Sequence, residues 1–350
     1  MYILGINISH DSSTCLLQDG ELIFYREFER NSKVKGNRIL ESDPFLFYHS
    51  EDIKQHTTFV DYVIFSTWEN RLDQQRIAFI LNQLKNFGLE WGNVVFNASD
   101  HHLYHASNAA FSSGFDECAC LIIDGSGSCL KSEDSNPFRE IESVYSFNYS
   151  QGLRTKFKHY SRSSDGLYTD FEIKNQDDYI VVLSDSISCG KLFNTFSYGL
   201  GYKGVGDSGK IMGLASYGRH VDTYGSWFNR IFDIEITNNN TIIPLSKMIG
   251  NLPLQDQQDV LKTLQEETKN HTIHLIEKAL DLCNTNNIVL SGGYFLNCVN
   301  NYHYLRSFPK VNFYVDPIAH DGGTSIGAAK YLWYDMTKDK TIRKLDTLYL

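Results

Sequence analysis

The chain has 350 residues, of which 42% are apolar, 13% aromatic and 21% charged, and its formal net charge is −10. That length suits two compact lobes with sizeable cores, and the composition excludes a disordered or fibrous protein. The acidic balance argues against gripping long nucleic acid, no apolar run reaches the roughly eighteen residues of a membrane span, and MYILGINISH lacks a secretory signal's basic segment.

Strands are expected at 3–7, 13–19 and 21–29, with His10, Asp11 and Ser12 at the first bend and Asp19-Gly20 as a hairpin turn. Strands at 62–66, 93–97 and 117–123 then alternate with helices near 71–87 and 101–112, giving the βββαβαβ order of a mixed-sheet lobe. The strand CACLIIDGSGS ends in Asp124, Gly125 and Gly127. Residues 130–188 are polar and aromatic, with NPFRE, YSFNYS and KNQDDY, and suggest strands plus an insertion over a cleft. A second lobe is expected from 190, with a long helix at 256–283 and strands at 287–290 and 311–315. Gly292-Gly293 opens the turn after the first of these strands. The boundaries are thus 1–189 and 190–350. The seven cysteines include no CxxC pair and do not form a disulfide framework; Cys118 and Cys120 are expected to pack, in keeping with a reducing cytoplasm.

His101 and His105 stand one helical turn apart, so both imidazoles share one face. A carboxylate arriving from a distant turn, such as Asp321 in IAHDGGTSIGAA, would complete an N/N/O set with open coordination positions, better suited to iron or zinc than to magnesium. The bland alternative is a histidine pair in a core or on a surface. His102 points about 100° away from His101, which suggests a supporting or surface role, and His320 fits either role. Strand-to-glycine turns at Asp124 and Gly292 expose backbone N–H groups and suit phosphate binding. Arg154, Lys156, Lys158, His159 and Arg162 surround Phe157 and Tyr160; a solvated strand face is the preferred reading over base stacking, and Lys338 to Lys344 form a second basic cluster.

Taken in order, the blocks GINISHDSS, REFERNSKVK, HHLYHASNAAFSSGFDE, IIDGSGS, ISCGKLFNTFSYGLGYKGVGDSGKIMGLASYG, VLSGGYFLNCVNN and VDPIAHDGGTSIGAA cover nearly the whole chain. In these blocks the chain resembles the N-terminal domain of the O-carbamoyltransferases of nodulation-factor and antibiotic biosynthesis. That domain is itself similar to the transferase of the tRNA threonylcarbamoyladenosine pathway. The resemblance implies an α/β, two-lobed, actin-like and Hsp70-like (ASKHA) ATPase fold. Mixed five-stranded sheets would be flanked by helices, with nucleotide in the cleft and a metal, usually iron, beside the phosphates. Zn²⁺ and Mn²⁺ are the alternatives to Fe²⁺.

Position by position, the resemblance implies that His101, His105 and Asp321 hold the metal and that His10 and Lys35 act near the carbamoyl group and phosphates. Asp124, Gly125 and Gly127 would form the second phosphate turn; Gly292, Gly293 and Asn297 the nucleotide turn; Lys210 and Gly213 the GKxMGLAxYG segment. The implied reaction is attack by an acceptor hydroxyl on carbamoyl-adenylate, made from carbamoyl phosphate and ATP, with His10 taking the proton. The acceptor is either a sugar-like compound or a 5-hydroxymethylpyrimidine nucleotide or DNA. Family members carry a second, YrdC-like domain that makes the adenylate, and this chain stops at Leu350, about where it would begin. A YrdC-like partner protein, or another donor, is then expected. A tRNA threonylcarbamoyl-type transferase and a non-catalytic nucleotide-binding module are the rival readings, and a sugar or acid kinase has no need of the histidine pair.

Overall fold

The computed structural model describes residues 1–345 apart from 38–44, 69–73, 97–100, 131–136, 163–171, 177–178, 185–186, 203, 223–232, 236–241 and 245–248. Its first sheet contains β1 (Tyr2–Asn7), β2 (Ser13–Gln18), β3 (Glu21–Glu27), β4 (Phe59–Ser66) and β5 (Glu90–Phe96), in the order β3-β2-β1-β4-β5. The hairpins β1–β2 and β2–β3 are antiparallel, and β4 and β5 add in parallel. Asp19 and Gly20 both take positive φ, 49° and 84°, the geometry a tight hairpin turn requires. Helices α1 (Phe28–Ser32), α2 (Phe45–Lys54) and α3 (Gln74–Asn86) intervene, and α4 (His101–Ser112) follows.

The second sheet has seven strands: β6 (Glu117–Ile123), β7 (Arg139–Asn148), β8 (Gly152–Ser161), β9 (Glu172–Gln176), β10 (Tyr179–Ser184), β13 (Asn287–Ser291) and β14 (Asn312–Val315). A separate hairpin pairs β11 (Asp233–Glu235) with β12 (Ile242–Pro244). The order is β14-β13-β6-β7-β8-β10-β9. Within it, β8-β7-β6-β13-β14 repeats the first sheet's order and strand senses, with two antiparallel joins followed by two parallel ones. The remaining α-helices among the described residues are α5 (Cys189–Gly199), α6 (Ser208–Ala215), α7 (Leu254–Cys283), α8 (Cys298–Ser307) and α9 (Thr324–Thr337).

The sheets do not divide near residue 189. The second sheet takes β6 to β10 from before that point and β13 and β14 from after it, so the change of sheet falls between β5 and β6. Nor are both sheets five-stranded, because β9 and β10, from the region read as an insertion, extend the second sheet's edge. Asp177 and Asp178 of KNQDDY lie outside the described residues.

Two helices fill the space between the sheets. Ala106, Ala109 and Ala110 of α4 pack on Cys120, Ile122 and Val289 of the second sheet. Ile326, Ala328 and Ala329 of α9 pack on Ile3, Cys15 and Leu17 of the first. The outer faces are covered by α2 and α3 on one side and by α5 to α7 on the other. No helix among the described residues is long and apolar enough to cross a membrane. All seven cysteines are free, and Cys118 and Cys120 are buried with their sulfurs 3.9 Å apart.

At the α4–α9 crossing a Cβ on Gly327 would lie 1.8 Å from the Tyr104 carbonyl oxygen and 3.1 Å from the Asn108 nitrogen. Helix backbone cannot retreat as a flexible side chain can. Gly327→Ala is therefore expected to lower stability by about 3 kcal/mol, the upper part of the usual overpacking range. Urea unfolding checks it: the midpoint should fall with the slope unchanged, and an unmoved midpoint would contradict this packing.

His49 of α2 is buried, with Nδ1 2.7 Å from Thr14 Oγ1 and its ring 4.3 Å from that of Phe28. Burial pushes its pKa down from 6.5 to about 3. The unfolded chain therefore takes up the proton first, and His49's contribution is complete above pH 6.5 and lost as pH falls below it. The expected slope is about 1.4 kcal/mol per pH unit between pH 6 and 4. His49→Gln should flatten that part of the stability–pH curve; parallel curves for the two proteins would refute the assignment.

The basic residues in and beside β8 form only part of the solvated face expected of them: Arg154 and Arg162 are exposed and Lys156 is half-buried, while others turn inward. Phe157 is buried in the core behind α5 and α7. Lys158 Nζ lies 2.5 Å from Glu140 Oε1, and buried His159 sits between Glu142 Oε2 at 2.8 Å and Ser184 Oγ at 2.7 Å. Lys158 and His159 are thus engaged by partners inside the fold. Near the C-terminus, Lys338 pairs with Asp335, and Arg343 with Glu21 and Asp339.

Candidate active site

The i, i+4 spacing on α4 places His101 and His105 together, fully buried, with ring centroids 4.8 Å apart and planes nearly perpendicular. The turn before α9 delivers Asp321, whose Oδ1 lies 3.5 Å from His101 Nε2 and 3.6 Å from His105 Nε2. A fourth group comes from the end of β6: Asp124 Oδ2 is 3.3 Å from His101 Nε2. One ligand atom from each of the four lies within 4.8 Å of every other.

The electrostatics follow from burial. Two carboxylates without water repel each other unless positive charge stands between them. Burial opposes charge on His101, yet Asp321 and Asp124 overcome it and lift its pKa to about 10. Burial works to raise both aspartates, and nearby histidines outweigh it; His101 holds Asp124 at about 2, and His10 and His101 hold Asp321 well below the usual carboxylate range. Both ring nitrogens of His105 are buried with no hydrogen-bond partner among the described residues. Two imidazoles and two carboxylates closing on one point, with a nitrogen left unbonded, fit a divalent cation of the iron or zinc type.

His10 reaches the same centre from the β1–β2 turn. Its Nε2 lies 3.3 Å from Asp321 Oδ2 and its Nδ1 2.8 Å from Asp11 Oδ2. Chiefly through the Asp321 charge, its pKa rises to about 9. The turn is tied down around the aspartate: Ser9 Oγ donates to Asp321 Oδ2 at 3.0 Å, and Asn7 Nδ2 donates to the Asp321 carbonyl oxygen at 3.1 Å.

A cavity of about 650 Å³ opens over this cluster. Its lining includes His10, Lys35, Asp124, Gly125, Gly293, Asn297 and Asp321 from the residues singled out in the sequence. Lys35 crosses to the opposite wall, where Nζ donates to the Gly206 carbonyl oxygen. The Gly293 N–H donates to Asp124 Oδ1 at 3.1 Å, joining two of the glycine turns. Gly292 serves the fold beneath them: its φ is +99°, and a Cβ there would meet the Ile123 oxygen at 2.2 Å.

Other expected residues lie off the cavity lining. Lys210 is exposed, pairs with Asp207 Oδ1 at 2.8 Å and lies 5.0 Å from the Tyr202 ring centroid. Gly213 faces open space, and Gly127 is packed against the His102 ring. His102 is buried rather than superficial, with Nδ1 2.9 Å from Ser143 Oγ, and burial pushes its pKa down to about 4. His320 lines the cavity, accepts from the Gly322 N–H through Nδ1 and places Nε2 3.2 Å from Glu27 Oε1. The cavity also recruits Gly190 and Lys191 from the first turn of α5, and Trp68 and Arg139, none of them flagged by the sequence as site residues. The GK of ISCGKLF was visible in the sequence, but nothing local says which lysine of several faces the cleft.

Comparison with known proteins gives consistent results. The family model described as Carbamoyltransferase N-terminus matches residues 89–330. An uncharacterized protein of Synechocystis sp. is 25% identical over 99% of this chain and 59% of its own length. The nodulation protein NolNO of Sinorhizobium fredii is 23% identical over 97% of this chain and 48% of its own. The chain thus spans roughly half the length of these relatives. Among solved structures, full-length HypF in its phosphate- and nucleotide-bound form aligns with a TM-score of 0.54 at 13% identity, over 96% of this chain and 56% of HypF. The activator of 2-hydroxyisocaproyl-CoA dehydratase from Clostridium difficile, with bound ADPNP, aligns with a TM-score of 0.50 at 10% identity, over 99% of this chain and all of that one. The arrangement is the two-lobed actin-like fold.

Proposed function

This chain belongs to the carbamoyltransferase N-terminus family, and we propose that it transfers a carbamoyl group from carbamoyl-adenylate to an acceptor hydroxyl. The observation that carries the proposal is the convergence of His101, His105, Asp124 and Asp321, whose two aspartates line the cleft. A phosphate-binding, kinase-like cleft has no use for paired buried imidazoles, whereas a polarised carbonyl beside a phosphate does.

His101, His105, Asp321 and Asp124 would hold a divalent cation, with Fe²⁺ preferred over Zn²⁺ and Mn²⁺. When bound, it would polarise the carbamoyl carbonyl or hold the adenylate phosphate, and it would cancel the Asp321 charge. That charge is what keeps His10 protonated at neutral pH, so a filled site leaves His10 free to act as a base. His10 then takes the acceptor's hydroxyl proton as oxygen bonds to the carbamoyl carbon, and AMP departs with the electrons of the broken acyl–phosphate bond. Asp11 orients the ring through Nδ1, while Lys35, Gly125, Gly293 and Asn297, which line the cavity, would surround the nucleotide. Lys210 and Gly213 lie off the cavity lining and are given no part in this step.

The adenylate itself would come from carbamoyl phosphate and ATP through a YrdC-like domain or partner. The acceptor is a sugar-like compound or a 5-hydroxymethylpyrimidine. The test supplies ¹⁴C-carbamoyl phosphate, ATP, Fe²⁺ and a panel of both acceptor types, with and without a YrdC-like protein. Radiolabel on an acceptor supports the proposal; ATP turnover that phosphorylates the acceptor instead would replace it with a kinase.

A further inference from the structure

One pair on the cavity wall takes no part in the transfer step. Trp68 stands just past the end of β4 in the first sheet, and Arg139 begins β7 in the second. The Arg139 guanidinium lies over the indole, 4.8 Å from its centroid, so the stack bridges the two halves of the molecule. Both residues line the cavity. Backbone pairing of Cys129 with Arg139, and of the Glu140 N–H with the Ser128 carbonyl oxygen, fixes the pair beside the turn that follows Asp124.

What marks this pair is its lack of partners. Trp68 Nε1 and Arg139 Nη1 are buried without a hydrogen-bond acceptor among the described residues, and no carboxylate there pairs with Arg139. The other groups on the wall are engaged. Arg30 Nη2 lies 3.2 Å from Glu27 Oε2, Glu27 also meets His320, Asp11 holds His10, and Glu29 accepts from the Gly36 N–H. The acids are therefore satisfied, and N–H donors are left over. Buried donors without acceptors are costly, and a planar guanidinium held flat by a stacked ring matches the oxygens of a tetrahedral anion.

We propose that Trp68 and Arg139 form an oxyanion subsite that takes the phosphate group of a substrate other than ATP. The choice of substrate rests on the carbamoyl-transfer reading: with the donor arriving as the adenylate, the phosphate is that of a phosphorylated acceptor, and carbamoyl phosphate binding directly is the outcome that would reassign it.

Calorimetry on the full chain tests this with four probes: carbamoyl phosphate, 5-hydroxymethyl-2′-deoxycytidine 5′-monophosphate, its nucleoside, and ATP. Arg139→Ala should weaken a phosphate-bearing probe by about tenfold or more, with Arg139→Lys intermediate because the charge stays and the fork is lost. Trp68→Phe, which keeps the ring and removes the N–H, should weaken the same probe by a few-fold and so guards against misfolding of the arginine variants. ATP and nucleoside affinities should not move. A response from carbamoyl phosphate reassigns the subsite to the donor; a response from the nucleotide but not the nucleoside assigns it to the acceptor. Unchanged affinities for both phosphate probes, or an equal loss for ATP, would overturn the subsite. Failure of the wild type to bind ATP or a divalent cation would instead count against the transferase reading, independently of Arg139.

Discussion

His105→Ala should be purified without the divalent cation that accompanies the wild type at about one per chain, and its affinity for added Fe²⁺ or Zn²⁺ should fall by at least about 100-fold. Removing a group that merely orients a ligand already costs about 10–100-fold, so losing an imidazole donor sets that as a lower bound. His105 is the informative choice because neither ring nitrogen makes a hydrogen bond among the described residues. Its removal therefore costs only the 3.6 Å approach to Asp321, whereas Asp321→Ala also frees Ser9 and His10 from their partner. Asp124→Asn should give a smaller loss, since that side chain keeps its contact with the Gly293 N–H through Oδ1. Equal metal content in the wild type and His105→Ala, by anaerobic elemental analysis, would remove His105 from the site.

His10→Ala should lower the rate of carbamoyl transfer by about 10²–10⁴ while metal content and ATP affinity stay near wild type, the span expected of a positioned general base. The side chain faces the cavity, and its contacts with Asp11 and Asp321 orient the ring without making it one of the four clustered ligands. Single-turnover measurements with preformed adenylate separate the step from adenylate supply. If His10→Ala instead loses its metal, the residue belongs to the cation site; if it transfers at the wild-type rate, another group takes the proton.

The local signals in the sequence were dependable where the physics is local. The Asp19-Gly20 turn follows from backbone preference, and the shared face of His101 and His105 from the helical repeat. Placement of Asp321 beside them came from the family resemblance, because no pattern links residues so distant in sequence. The division into sheets was misplaced for the same reason: β6 pairs in parallel with β13, and nothing near either strand encodes that partner. Asp124 looked like the acid of a phosphate turn, and it does line the cavity, but only the folded chain reveals that its second oxygen turns toward His101. Lys158 and His159 depart from the solvated face that Arg154 keeps, because Glu140 and Glu142, which pair with them, sit on the neighbouring strand. Trp68 and Arg139 come from different sheets and carry no motif at all.

The most direct test of the metal-centred account is a crystal of the full chain grown anaerobically with ADPNP and Fe²⁺, with anomalous data collected on both sides of the iron edge. The account predicts one strong anomalous peak bounded by His101 Nε2, His105 Nε2 and the carboxylates of Asp124 and Asp321, with the nucleotide phosphates beside it in the cleft. Nucleotide in the cleft with no anomalous peak among these four residues would contradict it and leave the histidines as structural groups in a nucleotide-binding fold.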